Sequence, residues 1–184
     1  MNDINHTNIT KKIVYRGKFV NVRIDTIHKD DNVSEKEVIE SKRGVVIAFV
    51  SDDQKVLLIH QHRHNHGDIL ELPAGAQKQD ETPLQSAKRE LLEETGIKAK
   101  EWKLISTHHN GVHQEGENYF FIARGYVSKA ILSLDQDEHI GKSKLYSFKE
   151  IASYMQKGKI PCLRSRSCIW LTKLILKGEW KVRK

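Results

Sequence analysis

Residues 75–97 read GAQKQDETPLQSAKRELLEETGI, the most informative stretch of this chain. It carries the glutamates Glu90, Glu93 and Glu94 close together, directly after Arg89. A helix places residues three and four positions apart on one face, where like charges repel and add nothing to stability. Such an acidic face is typical of a site where a hard divalent cation binds through oxygen ligands.

The same stretch contains the signals that start and stop a helix. Thr82 suits the N-cap, Pro83 suits the first helical position, and Gln85 completes a capping box. Gly96 is placed to end the helix in a left-handed conformation. We therefore predict a helix over about residues 83–95, with the glutamates in its last turn, where acidic side chains oppose the helix dipole.

The composition indicates a soluble, globular chain. It has 184 residues, of which 38% are hydrophobic and 30% charged. No apolar run approaches the roughly 20 residues of a membrane span, and the polar N-terminus lacks the apolar stretch of a signal peptide. We expect a cytoplasmic location. The two cysteines, Cys162 and Cys168, suit a reducing compartment and small core positions.

The net charge of +7 is open to three interpretations: a nucleic-acid surface, an anionic small substrate, or a basic solvated surface. The basic residues are scattered, with a modest cluster at the C-terminus and no aromatic residues interleaved among them. We therefore favour a solvated surface or an anionic small substrate, and we expect neither nucleic acid nor a membrane as a partner.

Hydrophobic periodicity predicts a mixed α/β chain. Residues 11–28 alternate as one or two antiparallel strands do, and a turn follows at 29–32. The apolar run GVVIAFV at 44–50 predicts a strand buried on both faces, with a turn at 51–54 and a hairpin partner at 56–62. Further strands are predicted at 101–108, 118–127 and 143–147, and further helices at 148–156 and 164–177.

The opening stretch resembles the Nudix box of the Nudix hydrolase family at every defining position. The spacing is Gly75, five residues, Glu81, seven residues, and then Arg89-Glu90-Leu91-Leu92-Glu93-Glu94-Thr95-Gly96-Ile97. The resemblance implies an α/β/α sandwich with a mixed sheet. It also implies Mg²⁺-dependent hydrolysis of a nucleoside diphosphate linked to a second moiety, with Mn²⁺ as a substitute ion.

The resemblance also implies roles for single residues of the box. Glu90 and Glu94 would be the primary metal ligands, and Glu93 and the Ala74 carbonyl would complete the set. Three further positions are structural: Gly75 lets the loop turn tightly, Gly96 ends the helix, and Arg89 orients the neighbouring glutamates together with Glu81.

The flanking segments resemble those of ADP-ribose pyrophosphatases and related nucleotide-sugar hydrolases. These segments are Gln61-His62-Arg63 and Glu71-Leu72-Pro73-Ala74-Gly75. By resemblance, Arg63 and Glu71 contact substrate, although a surface ion pair is the alternative for Arg63. The N-terminal segment resembles the antiparallel β subdomain of that subfamily, which commonly exchanges across a homodimer. We predict a β subdomain over residues 1–42, a hydrolase domain over 43–184, and a homodimer.

Two positions depart from the subfamily pattern. A Ser-Pro-Gly turn is replaced by His109-Asn110-Gly111, in which Gly111 is the expected substrate contact. The acidic loop at 134–140 carries Gln136 where some members have a catalytic glutamate, and glutamine does not accept a proton at neutral pH. The role of general base then falls to Glu138 of that loop or to Glu93 of the box.

Four histidines alternate along one predicted strand: His60, His62, His64 and His66. Alternate residues share a face of a strand, so a zinc site is one interpretation. Ligands two residues apart along one strand splay too widely to close a tetrahedron. The other interpretations are contacts to the substrate and ordinary packing or surface roles.

These patterns favour an enzyme that cleaves a nucleoside diphosphate sugar, with ADP-ribose first, into a nucleoside monophosphate and a sugar phosphate. Two alternatives stay open. One is a Nudix hydrolase of another nucleotide, such as an RNA 5′ end or a nucleoside triphosphate. The other is a catalytically silent Nudix domain that senses a nucleotide.

Overall fold

The computed structural model describes residues 7–111, 113–129 and 140–181. The chain divides into two compact units, one made of residues up to 43 together with 109–118, and the other of the remaining residues. The domain boundary between residues 42 and 43 stays a prediction. The described strands and helices are, in chain order, β1 Thr7–Arg16, β2 Val20–Lys29, β3 Asn32–Ser41, β4 Gly44–Phe49, β5 Val56–Arg63, β6 Gly67–Glu71, β7 Ala74–Ala76, α1 Pro83–Thr95, β8 Ile97–His109, β9 Gln114–Glu115, β10 Glu117–Lys129, β11 Ile140–Tyr146, α2 Phe148–Gln156 and α3 Leu163–Leu176.

The first unit is a four-stranded sheet in the order β1-β2-β3-β9. β1 and β3 pair with β2 in antiparallel fashion, and β9 joins β3 in parallel. The link from β2 to β3 is a two-residue turn in which Asp30 adopts a left-handed φ of 52°, as tight hairpins require. The antiparallel strands predicted over residues 11–28 are therefore confirmed.

A buried arginine ties the strands of this sheet together. Arg23 is 7% exposed, and it donates to Asp25 at 2.7 Å and to Glu40 at 2.6 Å. It also contacts Glu115 on β9. The hydrogen bond with Asp25, followed by that with Glu40, raises the pKa of Arg23, so the residue is a permanent cation that joins β2, β3 and β9.

The second unit is organised around β4, an interior strand of a sheet in the order β7-β4-β10-β8. All six residues of β4 are buried. Val45, Ile47 and Phe49 belong to the same apolar cluster as Ala87 and Leu91 of α1. The alternate residues of β4 belong to a second cluster with Cys168, Ile169 and Leu171 of α3. Because successive side chains point to opposite faces, the sheet lies between two helical layers, and the predicted α/β/α sandwich is confirmed.

The predicted hairpin between the strands at 44–50 and 56–62 is wrong. β5 pairs with β6 and β11 in a separate three-stranded sheet, and only an isolated bridge joins Val50 to Val56. Periodicity identified both strands, but the partners of β4 come from segments far along the chain. The helices predicted at 148–156 and 164–177 are confirmed as α2 and α3. Within the described ranges, no helix combines the length and apolar character that a membrane crossing requires.

Candidate active site

The helix α1, Pro83–Thr95, has the ends that its sequence predicts. Gln85 N–H donates to the Thr82 hydroxyl at 3.3 Å, and Thr82 N–H donates to the Gln85 side-chain oxygen at 2.8 Å. Gly96 has a φ of 71°, and its N–H donates to the Leu92 carbonyl at 2.8 Å. The capping box and the left-handed C-terminus are thus confirmed, and they fix where the glutamates fall along the helix.

Two glutamates of α1 occupy the stripe of the helix that faces the core. Ala87 and Leu91 on this stripe are fully buried. Glu90 and Glu94 follow at the same helical spacing and are only 6% and 3% exposed. Glu93 is more accessible, since 33% of its side chain is exposed. A buried carboxylate is costly unless it is paired or binds a metal, so the stripe is specialised for something other than packing.

Arg89 donates hydrogen bonds to three glutamates of the box. It donates to Glu81 at 2.7 Å, to Glu90 at 2.7 Å and to Glu93 at 2.8 Å, and also to the Ala76 carbonyl at 3.0 Å. The hydrogen bond with Glu81 is the main reason that the pKa of Arg89 is raised. The same bond lowers the pKa of Glu81 to about 2. Arg89 therefore contacts all three carboxylates, and its orienting role stays a prediction.

The loop before α1 meets the helix at two points. Ala74 N–H donates to the Glu94 carboxylate at 2.9 Å. A side chain at Gly75 would overlap the carboxylate of Glu90. Gly75 does not have a positive φ, so glycine is favoured here by the space that the Glu90 carboxylate occupies and not by the tight turn expected from the sequence. Its backbone also pairs with Val45 of β4, which holds the loop against the sheet.

The predicted metal ligands, which are Glu90, Glu93, Glu94 and the Ala74 carbonyl, have the chemistry that suits a hard divalent cation. Every donor in the set is an oxygen, as Mg²⁺ and Mn²⁺ prefer. One guanidinium contacts three carboxylates, so these four side chains carry an excess of negative charge that a cation would offset. As they stand, no three His, Cys, Asp or Glu side chains in the described parts of the chain are grouped to hold a metal. Arg89 draws Glu90 and Glu93 toward itself.

Arg63 and Glu71, the two predicted substrate contacts that flank the box, lie next to each other. Arg63 ends β5 and donates to the Glu71 carboxylate at 3.2 Å. The Glu71 side chain is largely buried, whereas that of Arg63 is about half exposed. The ion pair considered from the sequence is present, and it leaves part of the guanidinium open to solvent. A contact with substrate stays a prediction for both residues.

Two further predicted site residues are Gly111 and Glu138. Gly111 belongs to the first unit, where it is exposed and has a φ of 136°. Gln136 and Glu138 lie outside the described residues, so the choice between Glu138 and Glu93 as general base stays a prediction.

The alternating histidines of β5 have separate partners. His60 bonds the Tyr146 hydroxyl at 2.9 Å, and His62 bonds Asp68 at 2.8 Å. His64 and His66 are exposed in the turn that follows. Each described partner is a neighbouring strand residue, as the packing and surface interpretation expects.

Sequence reasoning missed two buried serines, one that bonds a glutamate of the box and one that bonds the segment before it. Ser86 is fully buried and donates to Glu81 at 2.6 Å. It lies one helical turn before Glu90, so a polar residue on the core-facing stripe was an available signal. Ser165 of α3 accepts a hydrogen bond from Leu72 N–H at 3.2 Å. These two residues are 93 positions apart, and no local pattern announces the contact.

Comparison with known proteins identifies the family. The model of the NUDIX domain matches residues 41–165. This is more than half of the chain, and it includes the whole acidic box. The chain therefore belongs to the Nudix family, and the protein is a Nudix hydrolase, a class that generally uses divalent metal ions.

Several relatives are similar over most of their length. The "ADP-ribose pyrophosphatase" of Bacillus subtilis (strain 168) is 27% identical over 144 residues, which cover 76% of this chain and 78% of that protein. The "Methanol dehydrogenase activator" of Bacillus methanolicus is 26% identical over 152 residues, which cover 80% and 81%. A solved structure described as "ADP compounds hydrolase" aligns with a TM-score of 0.80 over 97% of this chain and 98% of its own, at 17% identity. That likeness confirms the fold.

Proposed function

We propose that this protein is a Mg²⁺-dependent pyrophosphohydrolase that cleaves a nucleoside diphosphate sugar, with ADP-ribose the first candidate. The products are a nucleoside monophosphate and a sugar phosphate. The close approach of Glu90 to Gly75, beside the contact between Glu94 and Ala74, carries the proposal. The relative from Bacillus subtilis named as an ADP-ribose pyrophosphatase supports this choice of substrate.

Four groups would hold Mg²⁺: the carboxylates of Glu90, Glu93 and Glu94, and the Ala74 carbonyl. When bound, the ion neutralises the charge of the pyrophosphate and makes water a stronger nucleophile at neutral pH. Mn²⁺ prefers the same oxygen donors and would replace it.

The chain's own side chains would supply the remaining steps. Glu93 is accessible enough to accept a proton from the attacking water, and the bond from Arg89 at 2.8 Å holds its carboxylate in place. Glu138 is the second candidate for this base. Arg63 would bind a phosphate oxygen through its guanidinium, with Glu71 keeping it oriented. Gly111 would contact substrate through its backbone.

We further propose that the protein is a cytoplasmic homodimer, and the N-terminal sheet supports the dimer. Three exposed large apolar side chains share one face of this sheet, because Tyr15 and Ile39 both pair with Val22 and Val33 lies an even number of positions from Ile39. Apolar side chains grouped on one face mark an interaction surface. A second copy of the chain would cover them. Light scattering on the purified protein would give twice the monomer mass, whereas a monomer at micromolar concentration would refute the homodimer.

A substrate panel tests the enzymatic proposal. The wild-type protein, Glu94→Gln and the exposed control Glu101→Gln would be assayed with Mg²⁺ against ADP-ribose, other nucleotide sugars, nucleoside triphosphates and capped RNA. We expect AMP and ribose phosphate in equal amounts from ADP-ribose. We also expect a loss of about 100-fold or more in kcat/KM for Glu94→Gln alone.

Other results of this assay would favour either hydrolysis of another nucleotide or a catalytically silent domain. Turnover of triphosphates or capped RNA without turnover of ADP-ribose would replace the substrate class. Equally negligible rates on all substrates would indicate a silent Nudix domain. The Bacillus methanolicus relative is named for activating a dehydrogenase. We prefer hydrolysis for this chain because its box retains every glutamate.

A further inference from the structure

The turn between β6 and β7 has two backbone donors, and different helices supply their acceptors. Leu72 N–H donates to the Ser165 hydroxyl of α3 at 3.2 Å. Ala74 N–H donates to the Glu94 carboxylate of α1 at 2.9 Å. Pro73, between them, has no N–H to donate. The peptide groups that join Leu72 to Ala74 are therefore held from both ends, once by each helix.

Leu72 and Ser165 are too deeply buried for water to accept the Leu72 N–H in place of the serine. Ser165 is 1% exposed and Leu72 is fully buried. Leu72 also belongs to the same buried apolar cluster as Cys168 and Ile169, on the next turn of α3. A buried N–H without an acceptor is costly enough that the surrounding backbone shifts to avoid it. Loss of the Ser165 hydroxyl would therefore move the turn rather than leave it unchanged.

The far side of the turn cannot follow such a movement freely. The Pro73 carbonyl accepts from Ile47 N–H at 2.8 Å, and Ala74 pairs with Val46 of β4. If Leu72 moved, the Pro73 and Ala74 peptides, which are held at these points, would rotate instead of moving with it. That rotation changes the direction of the Ala74 carbonyl and the bond from Ala74 to Glu94.

We propose that Ser165 is a positioning residue for the metal site, acting through Leu72 on the Ala74 carbonyl and on Glu94. This inference rests on the proposed function, because it takes the Ala74 carbonyl and the Glu94 carboxylate as metal ligands. Residues that hold metal ligands in place change metal affinity by about 10- to 100-fold. Ser165 touches no ligand itself, so the expected effect is about tenfold.

The test measures Mn²⁺ binding directly, by calorimetry without substrate, for the wild-type protein and Ser165→Ala. The matched control is Thr172→Val, which removes another fully buried hydroxyl from the same helix while keeping its shape. Ser165→Thr keeps the hydroxyl and adds a methyl group. We expect about tenfold weaker binding in Ser165→Ala and affinity within about twofold of wild type in the other two. At saturating Mn²⁺, we expect kcat of Ser165→Ala to equal that of the wild type, because only metal affinity is reduced.

The outcomes separate this inference from the proposed function. Mn²⁺ binding by Ser165→Ala equal to that of the wild type would overturn the role of Ser165 and leave the proposed function standing. So would equal weakening in Thr172→Val, because the effect would then follow general destabilisation. Wild-type protein that binds no Mn²⁺ would overturn the metal site itself. If Ser165→Ala does not fold, Ser165→Cys replaces it. Its thiol is a weaker acceptor, and unchanged affinity would refute the inference.

Discussion

Replacing Gly75 with alanine perturbs a close approach of the loop to the acidic helix. A Cβ at this position overlaps the carboxylate of Glu90. The backbone of Gly75 pairs with Val45, so the Glu90 side chain is the group that moves. Its departure breaks the bond from Arg89 at 2.7 Å. A hydrogen bond between charged groups contributes about 1.5–3 kcal/mol, so we expect the free energy of unfolding to fall by about 2 kcal/mol.

Urea unfolding measures this cost, and a double-mutant cycle assigns it. In a Glu90→Ala background there is no carboxylate to displace. Gly75→Ala should then be neutral, or stabilising by about 0.5 kcal/mol through the reduced entropy of the unfolded chain. Because Glu90 is a proposed metal ligand, Gly75→Ala in the wild-type background should also weaken Mn²⁺ binding by about tenfold or more.

Two results would contradict the displacement of Glu90 or its consequence for the metal. An equal cost in both backgrounds would place the strain in the backbone rather than at Glu90. Wild-type affinity for Mn²⁺ in Gly75→Ala would show that the position of the Glu90 carboxylate does not matter to the metal.

Three further predictions concern Glu81, Cys168 and Thr82. Because Arg89 lowers the pKa of Glu81 to about 2, this pair stabilises the fold above pH 4.5, the usual pKa of the group. That stability is lost as the pH falls toward 2, so Glu81→Gln should flatten this part of a pH series of urea unfolding curves. Burial raises the pKa of the Cys168 thiol to about 12. A thiol reagent at pH 8 should therefore label Cys162 in the native protein and both cysteines in denaturant, and native labelling of Cys168 would contradict the structure. Thr82→Ala should cost about 1 kcal/mol of unfolding free energy through loss of the capping box, and an unchanged urea midpoint would argue against that cap.

The features of the fold that could be predicted from sequence are local ones. Thr82, Pro83 and Gly96 define α1 because caps act within one helical turn. The run at 44–50 indicates a doubly buried strand because an apolar residue at every position suits both faces. The pairing of strands could not be predicted in this way, because it depends on which distant segments of the chain lie beside a strand in the folded sheet. This is why β5 was wrongly paired with β4.

The same distinction applies to the site. The cluster around Arg89 lies within one short segment, so spacing alone brings its carboxylates together. The contact of Ser165 with Leu72 joins residues 93 positions apart, and that of Arg23 with Glu115 joins residues 92 apart. Such contacts arise when whole helices and strands pack together. The residues next to a serine or a glutamate in the sequence do not indicate its distant partner.

The burial of Glu90 and Glu94 explains why the site needs so much support. Both residues take positions of the core-facing stripe where leucine or alanine would stabilise α1, as Leu91 and Ala87 do. The fold therefore gives up packing at two positions and must hold two carboxylates out of water. Arg89 and the Ala74 amide offset part of that cost. A bound cation would offset more of it, so added Mn²⁺ should raise the unfolding midpoint of the wild-type protein. The gain should shrink in Glu94→Gln, and an equal gain in both would place the ion elsewhere.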